Sequence, residues 1–417
     1  MTAAPLTPSR AARVSELLSA RHVAIFGIVI GLLGAWLTLP PILTRTPTLP
    51  ILLGILAVAA GIWAVAREVR RLGWGAVAAG IFSIVFGLLA LQSSTSHLQS
   101  VFTWGTLLAA TLRYATPLTF GALGGMISER SGVVNIALEG MMLMGCFFGI
   151  WGSVTTGSWE LGLLIAMAVG GLTAFVYGIF AIQFRADQIV EGTAVNFLAV
   201  GITGYLFIQI YGPNGTPDLS SAESIPDVHL HFLGDIPWIG NFLDEVLGQL
   251  NLMIWLVMIL MVVLYYFVFR TSIGLRLRSV GEHPRAADTV GIDVYRTRYL
   301  AVTASGMLAA MGGAYLSIGF VHSFNQDMTE GRGFIALAAL IFGKWRPFGA
   351  FAAACLFGFS SALADAVPAA YTNSTVTFLQ SGALFQTLPY VLTLVAVAGV
   401  IGRSVAPAAD GKPYVKQ

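Results

Sequence analysis

Charge is what this chain of 417 residues has least of: Asp, Glu, Lys and Arg together make up 10% of it, against 56% hydrophobic residues. A soluble domain carries about 25% charged residues, so water is not the main solvent here, and a mean hydropathy of +0.80 agrees. Cysteine is scarce too. Cys146 and Cys355 each sit inside an apolar run with no metal-ligand spacing between them, which sets aside a disulfide framework or thiolate metal site and leaves two small core residues. The net charge is +2 and the basic residues are scattered between apolar segments, with none of the clustering that marks a nucleic-acid partner. Catalytic signatures are missing as well. There is no Gly-x-x-x-x-Gly-Lys-[Ser/Thr] phosphate loop, the nearest fragment being Gly343-Lys344-Trp345, and no His-Glu-x-x-His, Gly-x-Ser-x-Gly or intramembrane aspartate pair. No catalytic residue, metal or cofactor is therefore assigned, and any nucleotide hydrolysis must come from another chain.

What is abundant is apolar sequence in lengths that suit a bilayer. About 20 such residues cross the hydrocarbon core as a helix, which satisfies its own backbone hydrogen bonds in lipid. Spans are expected near 23–43, 51–66, 74–91, 104–127, 133–152, 160–183, 189–211, 251–269, 299–321, 329–343, 347–366 and 386–402. The expectation is an all-α, polytopic transmembrane bundle of about 12 spans. The stretch near 51–66 is short, and the one near 329–343 has the apolar core Phe334–Phe342 alone, so it is expected to be short, re-entrant or broken. The run from Val23 to Leu39 is too long for a secretory signal and reads as a retained span. Gly27-x-x-x-Gly31 and Gly121-x-x-x-Gly125 permit close helix approach and say nothing of substrate.

Lys and Arg accumulate in cytoplasmic loops. With the N-terminus inside, the cytoplasmic segments hold the groups Arg10 to Arg21, Arg67 to Arg71, Arg130, Arg185, Arg270 to Arg298, Lys344 with Arg346, and Arg403 to Lys416, while the other face keeps Arg45 and Arg332. Both termini are therefore expected to be cytoplasmic. The long outer loop, Gly212 to Leu250, carries six acidic residues and no Lys or Arg; a solvated lid and a docking surface for an external solute-binding protein are both open.

In the inner loop 270–298, Pro284 opens and Gly291 closes a potential short helix around Ala286-Ala287. The run Gly281-Glu282-His283-Pro284-Arg285-Ala286-Ala287-Asp288-Thr289-Val290-Gly291 resembles the coupling loop of permeases in the ribose, nucleoside and branched-chain amino acid branch of ABC importers. Segments Ala122–Gly140, Phe184–Phe197 and Phe334–Trp345 look like those of the nucleoside (simple-sugar) permeases in particular. The likeness covers roughly residues 102–403, so 1–100 read as an extension with about three spans, 101–405 as a permease core, and 406–417 as a cytoplasmic tail. The resemblance implies an inner-membrane subunit in the lipid bilayer, paired with a second, paralogous permease. It also implies ABC ATPase subunits that bind ATP and grip Gly281, Glu282, His283, Pro284, Arg285, Ala286, Ala287, Asp288 and Gly291, and an extracytoplasmic binding protein that delivers a nucleoside or simple sugar. An ion-coupled secondary transporter is the rival class, and it needs no ATPase-docking loop.

Ionisable groups within spans are costly and mark a pathway or a structural pair. Asn135 and Glu139 lie four apart, hence on one helical face. Glu191 and Asn196 open the span after Asp187, and Arg113 interrupts another. One reading has Asn135, Glu139 and Asn196 lining the passage, with Arg113 balancing a carboxylate. The other pairs Arg113 with Glu139 or Glu191 to hold helices in register, and has Asn135 cap a broken helix. A shared Ile-Ala-Leu in 135–145 and 334–343 hints at an internal repeat relating Glu139 to Ala338.

Overall fold

The computed structural model describes residues 10–38, 48–90, 104–212, 224–236, 240–370, 387 and 404–416. The expected span near 386–402 lies outside them. Two compact units divide the chain, one running to Trp104 and joined by Leu363–Phe385, the other comprising Gly105–Ala362 and Gln386–Gln417.

The first unit is built from α1 (Arg10–Thr38), α2 (Thr48–Ala66) and α3 (Arg70–Ala90). Small residues let these helices touch. A Cβ added at Gly61 would stand 2.6 Å from the carbonyl oxygen of Gly73, and one at Gly31 2.8 Å from the backbone of Ala79. Large apolar side chains such as Phe26, Leu52 and Trp74 point outward, as they do where lipid is the solvent.

The second unit holds α4 (Trp104–Arg130, from Gly105), α5 (Leu138–Thr156), α6 (Trp159–Gly178), α7 (Gln188–Tyr211), α8 (Gly240–Leu247), α9 (Leu252–Arg270), α10 (Ser272–Glu282), α11 (Pro284–Thr289), α12 (Val294–Ala314), α13 (Arg332–Phe342) and α14 (Pro347–Ala370) as far as Ala362. Its centre is α5 against α12, both buried within the protein over most of their apolar stretch. Their backbones meet where side chains are missing: a Cβ at Gly145 would strike the carbonyl of Ala310, and one at Gly313 the carbonyl of Met142. Helix α6 packs on both and α7 on α5, and α6, α7 and α9 turn Leu172, Phe197 and Ile259 outward.

Eight helices among the described residues are long and apolar enough to cross a membrane. The short expected span at 51–66 extends to 19 residues as α2, whereas α13 has 11. At about 1.5 Å per residue α13 reaches roughly 16 Å, half of a bilayer core.

Two expectations need correction. Residues 133–137, expected to be helical, are irregular (133–135) or turn (136–137), and α5 begins at Leu138. Gly132, at φ 89°, turns the chain after α4, and the Ser128 hydroxyl donates to the Val133 carbonyl at 2.7 Å. Asn135 therefore does not share a helical face with Glu139. The proposed repeat fails with it, because Ile136-Ala137 precede a helix while Ile335-Ala336 lie within one. A better-matched pair is α6 and α12. Each ends in a π-helical turn (Ile179–Phe184 and Tyr315–Val321) followed by a left-handed residue, Arg185 at φ 56° and His322 at φ 55°. A Cβ at either Gly170 or Gly306 would meet the other's carbonyl oxygen, so the two helices cross at corresponding positions.

At one end of α9, strands β1 (Asp227–His229) and β2 (Gln249–Asn251) form an antiparallel pair with Val228 opposite Leu250. At its other end the chain folds back as α10 and α11.

Candidate functional site

The first four N–H groups of a helix lack intrahelical acceptors, and the residue preceding α5, Ala137, has no side-chain oxygen to offer. The acceptor comes from α7. Asn196 Oδ1 accepts from the Gly140 N–H at 2.7 Å, and its Nδ2 donates to the Ile136 carbonyl at 3.0 Å. Gln188 Oε1 accepts from the Val134 N–H at 2.9 Å, and the Tyr177 hydroxyl donates to the Val134 carbonyl. A break that hydropathy cannot see is thus held by neighbouring polar side chains at Val134, Ile136 and Gly140.

Glu139, in the first turn of α5, caps α13 in the same manner. Its Oε1 accepts from the Gly331 N–H at 2.8 Å and its Oε2 from the Gly333 N–H at 2.5 Å. Gly331 is left-handed at φ 81°, a conformation glycine adopts without penalty, and it has no side chain with which to cap the helix itself. A carboxylate at this position also meets the positive end of the helix dipole. Beyond its far end α13 is held again. Trp345 Nε1 donates to Glu129 Oε2 at 2.5 Å, and the Arg130 guanidinium donates twice to the Trp345 carbonyl, at 3.2 and 2.9 Å. Along its length α13 nests on α4, where a Cβ at Gly121 would stand 2.9 Å from that of Ala336.

Asn135 lies between these features, fully buried. Its Nδ2 donates to Ser305 Oγ on α12 at 2.9 Å, and its Oδ1 has no protein partner. It caps no helix. Glu191 is half-buried in the first turn of α7, beside the backbone of Ala181. Arg113 stands apart from both glutamates: its Nη2 donates to the Gln249 carbonyl on β2 at 3.2 Å. No ion pair among the described residues joins it to Glu139 or Glu191, which corrects the expected pairing.

The inner loop forms two short helices. Thr271 caps α10 by accepting from the Gly274 N–H at 3.1 Å, and Pro284 opens α11. Gly291, at φ 84°, ends α11 with the paired bonds of a Schellman motif, Ile292 N–H to the Ala287 carbonyl at 3.0 Å and Gly291 N–H to the Asp288 carbonyl at 2.9 Å. Glu282, His283, Arg285, Ala286 and Gly291 are exposed, with Val290 at 74%. Pro284 and Asp288 are half-buried, and Gly281 and Ala287 face inward.

Residues 107–397 match the family model described as the branched-chain amino acid transport system permease component. The chain belongs to that permease family. Among its relatives is the guanosine ABC transporter permease protein NupQ of Bacillus subtilis, 43% identical over 318 residues, covering 74% of this chain and 95% of that one. The nucleoside ABC transporter permease protein NupC of Lactococcus lactis is 37% identical over 322 residues, 74% of this chain and 96% of its own. A second guanosine permease protein of Bacillus subtilis, NupP, is 25% identical over 290 residues, 68% and 81% of the two chains. No solved structure matches. The permease is thus a multi-pass membrane protein whose relatives are transport subunits, and α1 to α3 lie outside the matched region.

Sequence alone does not single out several residues that organise the permease: Tyr177, Ser305 and Arg298 outside the family-like segments, and Gln188 and Glu129 within them. Arg298 is 1% exposed, and donates to the carbonyls of Ser131 at 3.2 Å and Lys412 at 3.1 Å. Asp410 lies in the tail near it. Burial pushes the Asp410 carboxyl up to about 7 against the opposing pull of Arg298. In sequence Arg298 is the last arginine of the basic inner loop and looks like any other surface arginine.

Proposed function

We propose that this permease is the membrane-spanning subunit of an ABC importer that carries nucleosides, or a chemically similar simple sugar, across the inner membrane. The observation that carries the substrate class is the 43% identity to a guanosine permease across 95% of that protein's length. The core comprises residues 101–405, preceded by a three-span extension and followed by a cytoplasmic tail, with about 12 spans and both termini inside. ATP is bound by separate ATPase subunits, which dock on α11. The two guanosine permeases of one bacterium, NupQ and NupP, support a paralogous second permease as partner. An extracytoplasmic binding protein delivers the solute on the face that carries β1, β2 and α8.

In this reading the exposed edge of α11, Glu282, His283, Arg285, Ala286 and Val290, is the ATPase contact, with Pro284, Asp288 and Gly291 shaping it. Gly281 and Ala287 set it on the body of the permease. ATP binding shifts α11, and the spans rock between outward-facing and inward-facing states. Asn135 Oδ1, an acceptor without a protein partner, is the group on the pathway best placed to bond a solute hydroxyl. Glu139 and Asn196 frame that passage by fixing the ends of α13 and α5, while Glu191 and Arg113 stand at its margins.

The test is retention of the ATPase on the affinity-purified permease. Arg285→Glu and Ala286→Trp change the exposed edge without entering the core, and loss of the ATPase from both variants is expected. Full retention in both would remove α11 as the contact.

A further inference from the structure

The C-terminal segment does not trail away from the protein. Its Ala409 N–H donates to the Gly281 carbonyl at 2.9 Å and its Ala408 N–H to Glu282 Oε2 at 3.2 Å, which fastens it to the end of α10. Four residues on, the Lys412 carbonyl accepts from buried Arg298 of α12. Tyr414 then inserts among Val280, Ala287 and Val294, at 5% exposure. Its ring lies 5.4 Å from that of Tyr295, whose hydroxyl donates to the Tyr414 carbonyl at 3.3 Å. Lys416 ends the contact 4.0 Å from Asp288 of α11. The tail therefore touches α10, α11 and α12 in turn.

The same node meets the pathway. Gly281 packs directly on the Arg130 carbonyl, where no side chain would fit. Arg298 bonds the Ser131 carbonyl in the turn that leads to the broken start of α5. Burying a guanidinium without full partners costs several kcal/mol, and two of the partners of Arg298 are carbonyls, one on the tail and one on this turn. On the outer edge the tail reaches Glu282 but leaves His283, Arg285, Ala286 and Val290 exposed, so it does not cap the docking surface.

We infer that residues 404–416 are a strap that fixes α11 to the α4–α5 turn, with Tyr414 and Arg298 as positioning residues, so that displacement of α11 is handed to the pathway. The second half of this statement rests on α11 being the ATPase contact; the first does not.

Hydrogen exchange on the full-length permease in lipid nanodiscs tests the strap by itself. In Tyr414→Ala, and in a chain ended after Ser404, the amides of 284–292 are expected to exchange about tenfold faster, while α5 and α12 stay protected. Tyr414→Phe, which keeps the ring but loses the hydroxyl's bond to Asp288, should exchange less fast than Tyr414→Ala. Unchanged exchange over 284–292 in Tyr414→Ala would overturn the strap, and that variant decides if the shortened chain fails to fold. In the complex with its ATPase, Tyr414→Ala is expected to lower the solute carried per ATP hydrolysed; an unchanged ratio would overturn the hand-over. If the wild-type permease retains no ATPase, the coupling reading falls and the exchange result still decides the strap.

Discussion

Replacing Glu139 by Gln asks whether a carboxylate holds α13 in place. Both of its oxygens accept from backbone N–H groups, those of Gly331 and Gly333. Bonds to a charged group contribute about 1.5–3 kcal/mol each and neutral ones about 1. The amide keeps one acceptor and turns an N–H₂ group toward the second donor, so one bond weakens and the other is lost in a buried site. The sum is about 3 kcal/mol, or roughly a hundredfold in the opening equilibrium of the segment. Hydrogen exchange of Gly331, Gly333 and the first turn of α13 should rise by that factor. Glu139→Asp, which keeps the charge and shortens the reach, should rise less. Exchange in Glu139→Gln within twofold of wild type would refute the capping role.

Asn196→Ala leaves the Gly140 N–H and Ile136 carbonyl unpaired at the start of α5, a loss of about 2–3 kcal/mol that should appear as faster exchange over 134–142. Gly313→Leu drives a side chain into the Met142 carbonyl, so the purified protein is expected to aggregate, whereas Gly201→Leu, with nothing within 4 Å, should behave as wild type in size-exclusion chromatography. Asp410 predicts a pH dependence. Burial raises its carboxyl to about 7, above the ordinary range, so the docked tail favours the protonated form. Docking is then strongest at low pH and weakens as pH rises through about 7. Arg298 and Glu129 act on the same group, so Asp410→Asn is what isolates the part due to Asp410. Tail exchange, corrected for intrinsic rates, should be slower at pH 5.5 than at pH 8, and Asp410→Asn should reduce the difference.

Long apolar helices are legible in sequence because lipid demands the same composition along their length, and α2, α5, α6, α7, α9, α12 and α14 lie where the apolar runs do. The α11 turn is legible for a different reason: Pro284 and Gly291 act on their own backbone. The break at 133–137 is not, since Val-Val-Asn-Ile-Ala suits a helix as well as a loop, and what holds it open are side chains 40 to 60 positions away. The Arg113 partner is a backbone carbonyl, which leaves no trace in composition, so a carboxylate was the natural and mistaken expectation. The pairing of Arg298 and Tyr414 with a loop more than a hundred residues distant from the tail was invisible for the same reason.

The central claim is ATP-driven import by a complex built on this chain. The direct measurement is uptake of radiolabelled guanosine, other nucleosides and ribose into proteoliposomes holding the co-purified permeases, ATPase and binding protein. Uptake that requires ATP, and is lost in Arg285→Glu while the protein stays folded, is the predicted result. Uptake that follows a proton or sodium gradient and ignores both ATP and Arg285→Glu would contradict the account and make the chain an ion-coupled transporter.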